Sequence, residues 1–260
     1  MASTEHRSTL RVLEILELIS RSKDGYTLAE LSRLLNAPKS SLFPIVHTME
    51  NRHFLLLNAS TGQYHIGQNT YFVGSAYESA HSSFDFIRSC MKQLVQACGE
   101  TCHLGILSGN SILYVAKTEA DNPITLRSHV GQTLPAYCTG IGKALICDCT
   151  RKELEALYPD GLVSYTPTTI TSMDTLFQTL QEVRRTGFAY EFSELTEGIL
   201  CIAVSLRNKN KIIAAVSVCI PAYRATEEKK AQTRALLKKL KIMAEQNLEE
   251  FHITDAASLL

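Results

Sequence analysis

The sequence predicts an α+β chain of two domains, and three observations carry that prediction. Within residues 26–54 a short capped helix, a break and a second helix follow one another. Directly after them, two short alternating segments flank a glycine-containing turn, the pattern of a β-hairpin. From residue 84 onward, helical and strand-like segments alternate to the end, the pattern of an α/β body. At 260 residues the chain exceeds the usual size of one domain, which agrees with a small head and a larger body.

The elements follow in order. Residues 1–7 are polar and are expected to be loose. Val12, Ile15, Leu16 and Ile19 recur at helical spacing, so a first helix is expected over residues 9–21. Thr27 with Glu30 forms a capping box, which opens a helix by satisfying free backbone N–H groups. Leu28, Leu31, Leu34 and Leu35 form its apolar stripe, and Asn36, Ala37 and Pro38 break it. A second helix follows with Leu42, Ile45, Val46 and Met49 inward. Ser40, Ser41, Phe43, Pro44, His47 and Thr48 lie on its other face. This is the helix-turn-helix pattern, in which the second helix enters the major groove of DNA. Two amphipathic helices joined by a short turn also occur in ordinary helical proteins. What comes next favours DNA. Residues 55–58 read as a strand, residues 59–62 as a turn and residues 63–66 as the return strand, with Tyr64 and Ile66 on one face. A helix-turn-helix followed by a hairpin is a winged helix.

Charge supports this only weakly. Lys plus Arg equals Asp plus Glu over the whole chain. Residues 1–70 hold seven Lys/Arg and six Asp/Glu, a balance of +1. Binding to double-stranded DNA must then rest on local placement of charge and on an oligomer. On the wing, Gln63 and His65 can touch phosphate or sugar but bring no fixed charge.

Residues 69–81 read as a linking helix whose Tyr71, Phe72, Ala76, Tyr77 and Ala80 pack on a neighbouring domain or subunit. A helix is expected over 84–98, and strands near 101–107, 112–118 and 124–130. The run TGIG at Thr139 reads as a helix start, continuing to residue 146. Thr150 with Glu153 makes another capping box. Thr171 is expected to cap a helix ending near residue 186, followed by strands near 188–192, 200–207 and 212–220. Thr226, with Glu227 and Glu228 in the first turn, opens a last helix to about residue 251. The expected division is residues 1–68, the DNA-binding head; 69–83, the linker helix; and 84–260, the second domain.

Composition is ordinary for a globular protein, 45% apolar and 20% charged. The eight cysteines form no CxxC. Neither a signal peptide nor an apolar run long enough to span a bilayer is present, so the expectation is a cytoplasmic protein with reduced, mostly buried thiols and no membrane partner. No metal or cofactor is expected, because Cys102, His103, His129, Cys138, Cys201 and Cys219 lack diagnostic ligand spacing. Cys138 and His129 can be drawn as nucleophile and base, yet nothing in the spacing orients them, and an enzyme is not expected. The alternative to a DNA-binding regulator is a thiol redox sensor or an enzyme using Cys138, Cys201 or Cys219.

Four stretches resemble the IclR family of bacterial transcription regulators. They are TLAELSRLLNAPKSSL from Thr27, GQTLPAYCTGIGKAL from Gly131, TPTTIT with VRRTGFAYE, and EGILCIAVSL followed by AAVSVCIP. The resemblance covers residues 9–250. It implies a winged helix, a GAF/PAS-like effector-binding domain, and a homodimer or homotetramer on a pseudo-palindromic operator. The implied function is ligand-responsive control of catabolic genes, as repressor or activator, with a small organic or sugar-derived acid as effector. It also implies that Thr27, Lys39, Ser40, Ser41, Phe43, Pro44, His47 and Thr48 face DNA. Lys39, Ser40 and Ser41 suit phosphate, and His47 and Thr48 suit bases. Pro44 stands where the family usually has Arg, which can bond guanine or a phosphate as proline cannot. Proline inside a helix costs ~3 kcal/mol or more. The expectation is therefore a late helix start with Ser41 as N-cap, or a kink near Pro44. Effector contacts carry over to Gly140, Ile141, Glu191, Cys201, Ser217 and Cys219, and the helix start at Thr139, Gly140, Ile141 and Gly142 offers a site for an anion. Free N–H groups at a helix start attract anions, although the same glycines also let a helix pack on a sheet. Glu191 stands where Asp is common and Cys219 where Ser is common, and Cys201 can equally be an inert buried thiol.

Overall fold

Local capping and apolar spacing set the first elements of the computed structural model, which describes residues 6–78, 82–121 and 128–260. The chain divides into two compact units at residues 80 and 81. In the first, α1 (Arg7–Ser20) precedes β1 (Tyr26–Thr27), α2 (Leu28–Leu34) and α3 (Lys39–Asn51). Then come β2 (Leu55–Asn58), β3 (Gln63–Ile66) and α4 (Gln68–Glu78). The capping box at Thr27 is formed: the Glu30 N–H bonds the Thr27 hydroxyl, and the Glu30 carboxylate accepts from the Thr27 N–H at 2.8 Å. Asn36 adopts the left-handed conformation, φ 46°, and turns the chain between α2 and α3. Ile15, Ile19, Leu31, Leu42, Val46, Met49, Leu55 and Tyr64 form one core, so the inward stripes of three helices meet the hairpin. The expected hairpin pairs Leu55 with Ile66 and Asn58 with Gln63. β1 adds a third strand beside β3, with Tyr26 opposite Tyr64, a pairing two residues long that periodicity does not signal.

Of the two arrangements expected around Pro44, a late start or a kink, the first is overturned. α3 neither starts late nor uses Ser41 as its cap. Pro38 is the N-cap, and the N–H groups of Ser41 and Leu42 both donate to its carbonyl. Pro44 sits inside the helix. Burial of Leu42, Val46 and Met49 at helical spacing holds the frame through the proline. Pro44 supplies no N–H to the Ser40 carbonyl, and because both residues are exposed, water can take that place.

The second unit contains α5 (Ser82–Cys98), β4 (Thr101–Ser108), β5 (Ser111–Thr118), β6 (Thr133–Pro135), α6 (Gly140–Ile146) and α7 (Arg151–Leu157). It continues with α8 (Met173–Thr186), β7 (Ala189–Phe192), β8 (Ile199–Asn208), β9 (Lys211–Pro221), α9 (Glu227–Glu250) and α10 (Ala256–Leu259). Six strands make one antiparallel sheet in the order β6-β5-β4-β9-β8-β7. Alternation along the strands explains the two layers. Leu200, Ile202, Val204 and Leu206, with Val216, Val218 and Ile220, face α5 and α9 and form the larger core with Ile87, Met91, Leu237 and Leu240. The odd-numbered positions Ala203 and Ala215 face α6 and α8, joining Ile141, Ala144, Leu176 and Leu180.

Two further differences concern this unit. Of the strand expected at 124–130, residues 124–127 lie outside the described residues, and residues 128–130 are not strand; a strand occurs at Thr133–Pro135 instead. α8 is capped by Ser172, whose hydroxyl accepts from the Thr175 N–H, not by Thr171. The capping oxygen must sit three residues before the N–H it serves, and both residue types offer one. Of the linking helix expected to residue 81, residues 79–81 lie outside the described residues.

Candidate nucleic-acid interface and ligand cavity

In the first unit the outward face of α3 is built by subtraction. With Leu42, Val46 and Met49 inward, Lys39, Ser40, Ser41, Phe43, Pro44, His47 and Thr48 are all exposed. Phe43 and His47, four residues apart, stack with ring centroids 5.6 Å apart and planes 4° apart. His47 Nε2 lies 3.2 Å from Asn51 Nδ2, and its Nδ1 lies 3.8 Å from the Glu50 carboxylate. Two hydroxyls on this face turn back onto the helix. Ser41 donates to the Pro38 carbonyl at 2.8 Å and Thr48 to the Pro44 carbonyl at 2.7 Å, so each must swing out before it can donate to another molecule. Thr27 stands apart from these residues in role, since its hydroxyl and N–H both engage Glu30. At the hairpin tip the Asn58 side chain accepts from the Ser60 N–H, and Gly62 supplies the left-handed residue, φ 70°.

In the second unit a cavity of about 240 Å³ opens between the inner face of the sheet and the start of α6. Thr139, Gly140, Ile141, Glu191, Cys201, Ser217 and Cys219 all line it. Strand register brings them together from distant points of the chain. Cys201 faces Glu191 on one side and Cys219 on the other, and Ser217 faces His103. Small side chains on this face leave the room. The glycines close the other wall. A Cβ at Gly142 would lie 2.1 Å from the Ala136 carbonyl oxygen, and one at Gly140 would lie 3.1 Å from Cys201 Cβ. Thus Gly140 both lines the cavity and lets α6 press against the sheet. Thr139 caps α6, its hydroxyl accepting from the Gly142 N–H at 3.1 Å.

The polar groups have ordered partners. Glu191, 4% exposed, accepts the Glu194 N–H at 2.7 Å and the Leu195 N–H at 3.4 Å. Burial nevertheless dominates, and its carboxyl is pushed up to about 7. Behind it, the buried Lys143 ammonium donates to Glu194 and, at 3.2 Å, to the Tyr190 carbonyl. The segment TPTTIT secures the turn that follows Glu191: Thr166 donates to the Ser193 carbonyl at 2.6 Å and Thr169 to the Glu194 carbonyl at 2.6 Å. His103 stacks on Tyr114 with centroids 4.5 Å apart, and its Nε2 lies 2.8 Å from Ser128 Oγ. Burial raises the Tyr114 hydroxyl far above its ordinary range.

Sequence reasoning overlooked His103, Tyr114, Ser128, Gln132, Leu134, Leu195, Thr196 and Ile199 on this lining. His103 had been weighed only as a metal ligand. An alternating strand containing one polar residue among apolar ones was the available signal. Cys138 is removed from the picture. It is fully buried, its thiol donates to the Pro135 carbonyl at 3.8 Å, and burial pushes it up to about 12. His129 is exposed, with its backbone N–H bonded to Gln132. The nucleophile-and-base arrangement is therefore not assembled. Among the described residues, no three His, Cys, Asp or Glu side chains are placed to hold a metal ion.

Comparison with known proteins agrees on both units. The family description "Bacterial transcriptional regulator IclR C-terminal" matches residues 77–246, and the IclR helix-turn-helix domain matches residues 8–56. The HTH-type transcriptional repressor AllR of Salmonella typhimurium (strain LT2) is 28% identical over 221 residues, covering 84% of this chain and 81% of AllR. Among solved structures, an IclR transcriptional regulator from Alicyclobacillus acidocaldarius superposes with a TM-score of 0.86 at 23% identity, over 93% of this chain and 98% of that one. An IclR homologue from Microbacterium hydrocarbonoxydans, solved in complex with 4-hydroxybenzoate, superposes with a TM-score of 0.82 at 21% identity, over 94% and 99%.

Proposed function

The chain belongs to the IclR family of bacterial transcriptional regulators, and from that premise we propose how its two units divide the work of a ligand-responsive DNA-binding regulator. The exposed face of α3 reads the major groove of an operator. Lys39, Ser40 and Ser41 meet phosphates at its start, and Phe43, Pro44, His47 and Thr48 face the bases. Pro44 gives shape and apolar contact where an arginine would give charge. Thr27 acts by fixing the start of α2. The small fixed charge of the head favours an oligomer on a pseudo-palindromic site, whose two half-sites add their contacts. The regulator acts in the cytoplasm and not as an enzyme. Membership of a family of transcriptional regulators supports this reading.

The cavity is the effector site, and its lining is the observation that carries this reading. It offers hydroxyls from Thr139, Ser128 and Ser217, the His103 ring, and the first-turn N–H groups of Gly140 and Ile141, beside apolar Leu134, Leu195 and Ile199. Among the described residues no Lys or Arg lines it, and the groups they offer an acid are hydrogen-bond donors and helix-start N–H groups. A small hydroxy or keto acid, sugar-derived or aromatic, fits that chemistry, and the Microbacterium homologue's complex with 4-hydroxybenzoate supports the aromatic case. The name of AllR, a transcriptional repressor, favours repression, with the acid shifting the chain away from its DNA-binding conformation. A thermal-shift screen of organic and sugar acids tests the site. The expected result is stabilisation by one class of acid, abolished when Ser217→Leu fills the cavity. Stabilisation that survives this substitution would place the ligand elsewhere.

A further inference from the structure

Two thiols meet on the cavity wall in a way that ligand binding does not require. Cys201 on β8 and Cys219 on β9 are directly opposite each other in the antiparallel ladder. Residues so paired have Cα atoms roughly 4.5–5.5 Å apart, inside the range that a disulfide spans. Their sulfurs lie 2.9 Å apart, so closing to a bond of ~2.05 Å takes a shift of only about 1 Å. Both cysteines line the cavity, which gives a small reagent a path to them.

The surroundings make the two thiols unequal. Cys219 Sγ lies 3.8 Å from His103 Nδ1 and 3.9 Å from Ser217 Oγ. When the His103 Nε2–H donates to Ser128, Nδ1 turns its lone pair toward the Cys219 thiol and can take its proton. The hydrogen bond from Cys201 draws the Cys219 thiol below its ordinary range, with His103 and Ser217 acting in the same direction against burial. The same hydrogen bond, together with burial, raises the Cys201 thiol. The other thiols lack this setting: burial raises Cys90, Cys98, Cys102, Cys138, Cys147 and Cys149 alike.

We propose that Cys201 and Cys219 are a peroxide-oxidisable dithiol built into the effector cavity, with Cys219 attacking and Cys201 resolving. The Cys219 thiolate displaces hydroxide from hydrogen peroxide and becomes a sulfenic acid. Cys201, passing its proton to the departing hydroxide, attacks the Cys219 sulfur, and the S–O bond breaks as the S–S bond forms. In sum two thiols lose two electrons and two protons, and one peroxide becomes two waters. The product re-forms the floor of the cavity where Glu191 and Gly140 meet Cys201. A thiol reductant reverses it. The proposal does not depend on which acid the cavity takes.

The test is mass spectrometry of the full chain treated with hydrogen peroxide. The expected product is lighter by about 2 Da, gives one linked peptide joining Cys201 to Cys219 under non-reducing digestion, and returns to the starting mass with dithiothreitol. Its formation should be at least about tenfold faster than oxidation of Cys149, a half-buried thiol outside the cavity. In Cys201→Ser, dimedone should trap a sulfenic acid on Cys219. In Cys219→Ser, Cys201 should stay unlabelled. Linkage of any other pair, a rate equal to that of Cys149, or dimedone labelling of Cys201 in the Cys219 variant would overturn it.

Discussion

Glu191 predicts a pH dependence that can be read directly. Its carboxyl lies on the cavity wall and burial pushes it up to about 7. An acid bound beside it meets a neutral group at low pH and a like charge at high pH. At an effective dielectric of about 20, two like charges roughly 5 Å apart repel by about 3 kcal/mol, more than a hundredfold in affinity. The anion therefore binds essentially only the protonated form. With a value near 7, the protonated fraction falls about tenfold from pH 6 to pH 8. The sign follows: the dissociation constant of a carboxylate ligand should be flat below pH 6 and weaken about tenfold by pH 8. Other ionisable groups face the same space, namely Cys201, Cys219, His103 and Tyr114, with the Lys143–Glu194 pair behind. Glu191→Gln separates them, because the amide oxygen can still accept the Glu194 N–H while the charge is gone. Isothermal titration of the acid selected by thermal shift, at pH 6, 7 and 8, reads both proteins. The variant should bind with little pH dependence. Wild-type affinity that is constant or tightens toward pH 8, or a Gln variant that keeps the tenfold loss, refutes the reasoning.

Three other substitutions test different links. Lys39→Ala removes an exposed cation at the start of α3; DNA binding should weaken about equally for all sequences, and the slope of log affinity against log salt should fall by about 1. Pro44→Ala restores an N–H opposite the Ser40 carbonyl and should raise the unfolding free energy of the full chain by about 1–3 kcal/mol, seen as a higher urea midpoint. Lys143→Met leaves the buried Glu194 carboxylate without its ion-pair partner, and a loss of about 3–5 kcal/mol is expected in the same assay.

The features that could be read from the chain in advance are those written in short stretches. The capping boxes at Thr27–Glu30 and Thr150–Glu153 announce their helices three residues at a time. The hairpin at residues 55–66 shows its two strands because apolar residues on each side flank a turn that contains Gly62. The late start expected from Pro44 does not occur, because its local cost is set against the burial of Leu42, Val46 and Met49 on the same helix. Thr171 and Ser172 offer equivalent caps, and only packing chooses between them. The strand order places β9 between β4 and β8, so His103 and Cys219 become neighbours across more than a hundred residues. No local pattern encodes that meeting. Resemblance supplied six residues of the cavity wall and the helix start a seventh, Thr139, but not His103, Tyr114 or Gln132, whose places depend on the ladder and on the loop before β6.

The central claim is that one chain couples an acid-binding cavity to a DNA-reading helix. Fluorescence anisotropy of an operator fragment, titrated with the full chain in the presence and absence of saturating acid, measures that coupling. The account predicts a change in DNA affinity of at least about fivefold, the lower end of ordinary allosteric coupling, and its disappearance in Ser217→Leu. Identical DNA affinity with and without bound acid would contradict it.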